Sequence, residues 1–308
     1  MTTPIVDCHT HTSFSDGEPT FEENVRAAAD AGCSVLVSTD HLTLPASMDP
    51  ACEVQVPEAR LAEHRAAFDA AKALARELTA GTATPLELVY GFECDWYPGC
   101  EDNVARWAAG AVVRLGSVHW IGEPGNVRAG AAGSPEAAAA HVKPAGTPGS
   151  GSGWIDDPDD KHVWEELGPD EVWRRYVKTW CRACESPLGF SSMAHPDLAM
   201  RFVNEGFAAT IDLGPLWDEM AACAHDTGRR IEVSTAGLRK TVGGYYPSPG
   251  LLTRFHAAEV PITVGSDSHR ACDICWGIRD AYRCAAAAGY RGMEVPHADG
   301  SWEHVAFE

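Results

Sequence analysis

The chain has 308 residues, of which 45% are apolar, a length and content that suit one α/β barrel of about 250 residues with insertions. Its formal charge of −20 repels phosphate backbones and argues against nucleic acid as a partner. No apolar run approaches the ~18 residues of a membrane span, and the N-terminus lacks a signal peptide's basic and apolar regions, so a cytoplasmic protein without a membrane partner is expected.

The first predicted strand covers residues 5–8 and runs into His9-Thr10-His11, with Asp16-Gly17 in the turn beyond. On extended backbone the two imidazoles point to the same side, a ready chelate for a transition metal. A helix over 20–31 has Thr20 and Glu23 in capping-box spacing and stops at Gly32. Residues 33–38 form a strand ending in Thr39-Asp40-His41, and an Ala-rich helix over 57–80 stops at Gly81. The strand 86–92 ends at Glu93. A short helix over 102–109 precedes a strand over 111–118 that ends at His119.

Between residues 122 and 153 Gly, Ala, Pro and Ser dominate without period, which reads as a flexible insertion rather than a domain. A tolerated surface loop fits that composition; a lid over the site is the functional alternative. Residues 169–185 resume as an amphipathic helix with Val172, Tyr176, Val177 and Trp180 on one face. A strand over 188–194 leads to His195-Pro196-Asp197. A helix over 215–227 stops at Gly228, and a strand over 230–233 leads to Ser234-Thr235. A helix over 248–258 and a strand over 261–265 follow, ending in Ser266-Asp267-Ser268-His269. The tail from about residue 273 holds one more helix and a short polar end.

Seven strands alternating with helices predict a parallel α/β barrel, one domain over residues 1–308 interrupted at 122–153. The eleven cysteines, an odd count, fit reduced thiols. Cys181/Cys184 and Cys272/Cys275 have C-x-x-C spacing; buried helix-face thiols are the reading taken over a four-thiolate zinc site.

Almost every strand deposits a metal-type ligand at its C-terminal end, where barrel enzymes keep their active sites: His9, His11, Asp16, His41, Glu93, His119, His195, Asp267 and His269. Nine ligands exceed one ion's needs, and three ions would share them if a carboxylate such as Glu93 bridges two. Nitrogen and oxygen donors without cysteine suit Zn, Mn or Fe in hydrolysis.

These segments, with Gly91-Phe92-Glu93 and Gly116-Ser117-Val118-His119, resemble the motifs of the PHP (polymerase and histidinol phosphatase) superfamily. The resemblance implies a distorted seven-stranded TIM-like barrel, (β/α)7, and a trinuclear site. It implies His9, His11, Glu93 and Asp267 around one ion, Glu93, His119 and His195 around a second, and Asp16, His41 and His269 around a third. The stretch from Ile231 to Lys240 followed by Tyr246-Pro247-Ser248 is similar to the histidinol-phosphate phosphatase branch of histidine biosynthesis, although Ser234 stands where that branch usually has Asn. By that resemblance Arg239 and Arg201 contact the phosphate.

The reading is a metal-dependent phosphoric monoester hydrolase acting on histidinol phosphate. Its nucleophile is a water or hydroxide shared by two ions, and Glu93, Asp267, His269 and Arg239 are the candidate catalytic residues. The alternatives are a PHP phosphoesterase for another small phosphate ester, such as a nucleotide or sugar phosphate, and a non-catalytic metal-binding domain. The insertion departs from the family pattern and bears on substrate preference. Oligomeric state, metal identity and the group that protonates the leaving alcohol are left open by the sequence.

Overall fold

The computed structural model describes residues 3–42, 44–123 and 149–308. Seven parallel strands follow one another around the barrel in chain order: β1 (Ile5–Asp7), β2 (Cys33–Ser38), β3 (Glu87–Asp95), β4 (Val113–Ser117), β7 (Ser192–Met193), β8 (Arg230–Ser234) and β9 (Ile262–Gly265). The first and last strands meet through the Cys8 amide, which donates to the Val264 carbonyl at 3.0 Å, and the His11 amide, which donates to Ser268 at 2.9 Å. The seven strands are those expected from the sequence. β7 is shorter than predicted, two residues instead of seven, because only Ser192 and Met193 find partners on both sides.

The helices pack outside: α1 (Phe21–Asp30), α2 (Leu61–Leu78), α3 (Glu101–Trp107), α4 (His162–Leu167), α5 (Pro169–Glu185), α6 (Gly214–Thr227), α7 (Pro249–Ala257) and α8 (Ile278–Ala287). The predicted punctuation holds at their ends. Thr20 and Glu23 close a capping box on α1, and Gly228 ends α6 in the left-handed conformation that glycine adopts without a steric penalty. On α5 the predicted face of Val172, Tyr176, Val177 and Trp180 is fully buried. Burying each such side chain contributes about 1.5–3 kcal/mol, so this helix is held by packing rather than by propensity.

Three features correct the sequence reading. The tail is not merely polar: β10 (Gly292–Pro296) and β11 (Trp302–Ala306) form an antiparallel hairpin. Its loop, residues 297–301, is closed by the Gly300 amide donating to the His297 carbonyl at 2.9 Å, with Gly300 at positive φ. The insertion's boundaries are also structured, because β5 (Trp120–Ile121) pairs antiparallel with β6 (Gly153–Trp154) at its neck. The expectation of a flexible loop or lid concerns residues 124–148, which lie outside the described residues. Cys181 and Cys184 are buried on α5 as expected, but Cys272 is exposed and Cys275 half-buried in the turns after β9, so that pair is not a buried helix face. Among the described residues no helix is long and apolar enough to cross a membrane.

Candidate metal centre

All nine predicted ligands converge at the C-terminal mouth of the barrel, and Glu93 is their centre. Its Oε2 lies 2.9 Å from His9 Nε2, 3.4 Å from His11 Nε2 and 3.6 Å from His41 Nε2. Its Oε1 lies 3.0 Å from His195 Nε2 and 3.7 Å from His119 Nε2. Five imidazoles from four other strand ends therefore face the two oxygens of one buried carboxylate. Asp267 Oδ1 stands 3.4 Å from His11 Nε2 and 3.8 Å from His9 Nε2. Asp16 and His269 complete the outer side, with His269 Nε2 3.1 Å from Asp16 Oδ2 and Asp16 Oδ2 3.8 Å from His41 Nε2.

Three compact sets of donor atoms result: His11, Asp16, His41 and His269; His9, His11 and Glu93; and His41, Glu93 and His119. Their chemistry can be tested atom by atom. His9 Nδ1 is 3.0 Å from Glu232 Oε1 and donates to that carboxyl oxygen. Its other nitrogen, Nε2, faces Glu93 Oε2 at 2.9 Å and lies only 3.1 Å from His11 Nε2. Groups this close need positive charge among them, supplied by protons in the metal-free site or by a bound ion. A divalent ion meets that need, and the all-nitrogen and oxygen donor set suits Zn, Mn or Fe. The buried Nδ1 atoms of His11 and His195 make no hydrogen bond among the described residues, and His11 Nδ1 stands 3.5 Å from Asp16 Oδ1.

Electrostatics point the same way. Burial raises the pKa of Glu93, yet His9 and His41 outweigh it and hold the carboxyl well below its usual range. For Asp267 burial is outweighed by His9 and Lys240. Burial likewise lowers the imidazoles, but Glu232, Glu93 and Asp267 push His9 well above its ordinary value. In the metal-free protein the site stores protons where ions fit.

The sequence reading missed the residues that aim these ligands. Asp95 Oδ2 receives His41 Nδ1 at 2.8 Å, and its Oδ1 receives His119 Nδ1 at 2.5 Å. One carboxylate thus fixes two tautomers and turns both Nε2 atoms toward Glu93. Asp95 stands two residues after Glu93 on β3, so alternation places both side chains on the inner face. That periodicity was the available signal. Glu232, inside β8, holds His9 with one oxygen and accepts from the His195 amide at 3.0 Å with the other. Asp7 accepts from the Ser266 amide and hydroxyl and from the Cys275 amide, fixing the loop that carries Asp267 and His269. Gly265 has no room for a side chain, because a Cβ there would stand 2.2 Å from Glu232 Oε1 and 2.7 Å from His9 Cβ.

An Asp95→Asn substitution should lower metal affinity or turnover by roughly ten- to a hundredfold. The amide can accept from only one of the two imidazoles without presenting donors to the other. Titration of the metal-free variant with Mn or Zn checks this, and unchanged affinity would show that the clamp is dispensable.

The cavity over the ligands encloses about 330 Å³ and is lined on its non-ligand side by Val54, Trp154, Asp156, Asp157, Pro158, Leu198 and Lys240. A larger cavity of about 540 Å³ lies between β10–β11 and the opposite end of the barrel, away from the ligands. Arg239 and Arg201 do not line the ligand cavity. Arg239 Nη2 donates to the Ser266 and Asp267 carbonyls at 2.7 and 3.0 Å, and Arg201 Nη1 donates to Thr241 Oγ1 at 2.7 Å. Lys240, next in sequence to Arg239, is the cation on the cavity wall, its Nζ 3.9 Å from Asp267 Oδ2.

The PHP domain matches residues 7–236, the stretch from the first strand through the turn after β8. The chain belongs to the PHP domain family. A Deinococcus radiodurans relative named "Probable histidinol-phosphatase" is 26% identical over 305 residues, covering 96% of this chain and 98% of its own. Histidinol-phosphatase of Bacillus subtilis is 24% identical over 125 residues, 37% of this chain and 47% of that one. Among solved structures, the Lactococcus lactis histidinol phosphate phosphatase complexed with Zn, L-histidinol and phosphate superposes with a TM-score of 0.65 at 15% identity, covering 97% of this PHP chain and 98% of that one. At that identity the likeness speaks for the fold.

Proposed function

We propose that the chain is a metal-dependent phosphomonoesterase that releases phosphate from histidinol phosphate through a three-ion site. The observation that carries this reading is the convergence of five imidazole Nε2 atoms on the two oxygens of Glu93. The near full-length match to the Deinococcus relative supports the substrate. In the proposed arrangement His9, His11, Glu93 and Asp267 hold one ion, Glu93, His119 and His195 a second, and Asp16, His41 and His269 a third. Bound divalent ions supply Lewis acidity toward phosphate oxygens and an activated water.

The chain's own residues do the rest. Glu93 would help hold two of the ions, since its two oxygens face different sets of imidazoles. Lys240 meets the phosphate from the cavity wall as a point charge. Arg239 contributes by bracing the Ser266–Asp267 backbone, which holds Asp267 and His269 in place. Arg201, held by Glu205 and Thr241, stays off the phosphate in this arrangement. His269, with a third of its side chain accessible, and the exposed Asp16 form the solvent side of the site, toward which the alcohol would leave. The leaving oxygen takes its proton from a site water or from one of the carboxylates.

The test is phosphate release from histidinol phosphate, glycerol phosphate and a mononucleotide, using protein of measured metal content. The reading expects the highest kcat/KM for histidinol phosphate. Equal rates across the panel would replace that substrate with a general phosphoesterase role. No release from any ester by metal-loaded protein would overturn the enzymatic reading.

A further inference from the structure

We propose that Asp156 is the specificity-determining residue of this site and that it recognises a cationic nitrogen on the alcohol part of the substrate. This rests on the phosphomonoesterase reading and adds to it the group that selects among esters. Asp156 lines the ligand cavity and is half-buried. Among the described residues it has no hydrogen-bond or ion-pair partner. The other carboxylates of the cavity are engaged: Asp16 by His269, Glu93 and Asp267 by the ligand imidazoles, and Asp157 by the Asp159 amide at 2.8 Å. Its charge acts on His119 across the cavity, but no hydrogen bond satisfies it, and a part-desolvated carboxylate without one is costly unless a ligand supplies it.

The backbone around Asp156 is built to hold it still. β6 is paired to β5, the Ile155 amide donates to the His119 carbonyl at 2.8 Å, and the Trp164 indole donates to the Ile155 carbonyl at 2.9 Å. Ile155 itself is fully buried. Asp156 is therefore presented by a ribbon fixed to the end of β4, the strand that delivers His119. Beside it Trp154 is pinned by its indole N–H, which donates to the Met48 carbonyl at 3.1 Å, and its ring lines the same cavity. A carboxylate next to an indole suits an alkylammonium or imidazolium, through a charge-assisted hydrogen bond and a cation–π contact. It does not suit a second phosphate or a neutral sugar. Among the described residues Lys240 is the one lysine on this wall, so the cavity has one pole for the phosphate and one for the cation.

The experiment compares wild type, Asp156→Asn and Asp156→Glu, each with its metal content measured. Two quantities are read: the ratio of kcat/KM for histidinol phosphate over glycerol phosphate, and the calorimetric affinity for histidinol in the presence of inorganic phosphate. Losing one charge-assisted contact should lower the ratio and the histidinol affinity by roughly ten- to a hundredfold in the Asn variant. The Glu variant should recover part of both. An unchanged ratio with full turnover would overturn the assignment while leaving the phosphomonoesterase reading intact. Loss of bound metal in the Asn variant would make Asp156 a metal ligand and overturn it as well. If wild type hydrolyses no ester but the Asn variant still loses histidinol affinity, the assignment stands and the phosphomonoesterase reading falls. If wild type neither hydrolyses an ester nor binds histidinol, both fall.

Discussion

Glu93→Gln should reduce phosphate release by roughly a thousandfold or more while the barrel stays folded. Bridging stabilisation by a carboxylate of this kind is worth several kcal/mol, and each 1.36 kcal/mol is a factor of about ten in rate. The amide keeps the size of the carboxylate, so packing in a residue that is only 1% exposed is preserved. What changes is charge and donor pattern. Gln presents one oxygen and one NH2 where two oxygens now face five imidazole nitrogens. One of the two sets of imidazoles then meets a donor in place of an anion. Metal content should fall together with activity, and circular dichroism should remain that of the parent. Near-normal turnover with full metal content would place the bridge on another residue, with Asp267 the first alternative because it already faces both His9 and His11.

The candidate ligands and their convergence were legible because residue type and position coincide. A histidine or carboxylate directly after a run of β-branched residues is a strand-end residue, and in a parallel barrel all such ends share one mouth. Legibility stopped where a functional side chain lies within a strand. Glu232 and Asp7 were absorbed into the expected strands 230–233 and 5–8 as ordinary strand residues, and Asp95 lay beyond the expected end of strand 86–92, although each sits on the inward face at the spacing of its neighbours. Their role depends on which imidazole lies across the barrel, and that is a tertiary relation. Asp95 reaches His41 on the loop after β2 and His119 on the loop after β4, 54 and 24 residues away. Lys240 and Arg239 show a related limit. Adjacent cations in a tight turn differ in where they point, and only the backbone of Ala236–Arg239 decides that Arg239 takes the carbonyls and Lys240 the cavity. The β10–β11 hairpin escaped for another reason: its strand β11 is largely exposed, so its apolar pattern is weak.

Removing the ions should lower thermal stability and change its pH dependence. At a free metal concentration a hundredfold above Kd, one ion bound only to the folded state stabilises by about 2.7 kcal/mol. For a domain of this size each kcal/mol shifts Tm by roughly 2–4 °C, so chelation should lower Tm by roughly 5–10 °C per tightly bound ion. The metal-free site compensates with protons. Burial lowers the His119 pKa, but Asp156, Asp95 and Glu93 outweigh it and raise it from 6.5 to about 9. His41 is raised well above its ordinary value because Asp95, Glu93 and Asp16 outweigh its burial, and His9 behaves alike. A group whose folded pKa is raised binds more protons folded than unfolded throughout the interval between the two values. Its stabilising contribution is complete below the unfolded pKa and is lost as pH rises through the folded one. Chelated protein should therefore lose stability steadily between about pH 6.5 and 9. Glu93 and Asp267, with lowered pKa values, stay ionised across that window and do not offset the loss. In the loaded protein the ions take the place of those protons, so the downward trend should be absent and metal affinity should increase with pH. Scanning calorimetry at pH 6.5 and 9, with chelator and with Mn or Zn, checks both parts. A chelated protein that gained stability toward pH 9 would mean that the imidazoles around Glu93 are not held charged, and the electrostatic account of the centre would fail.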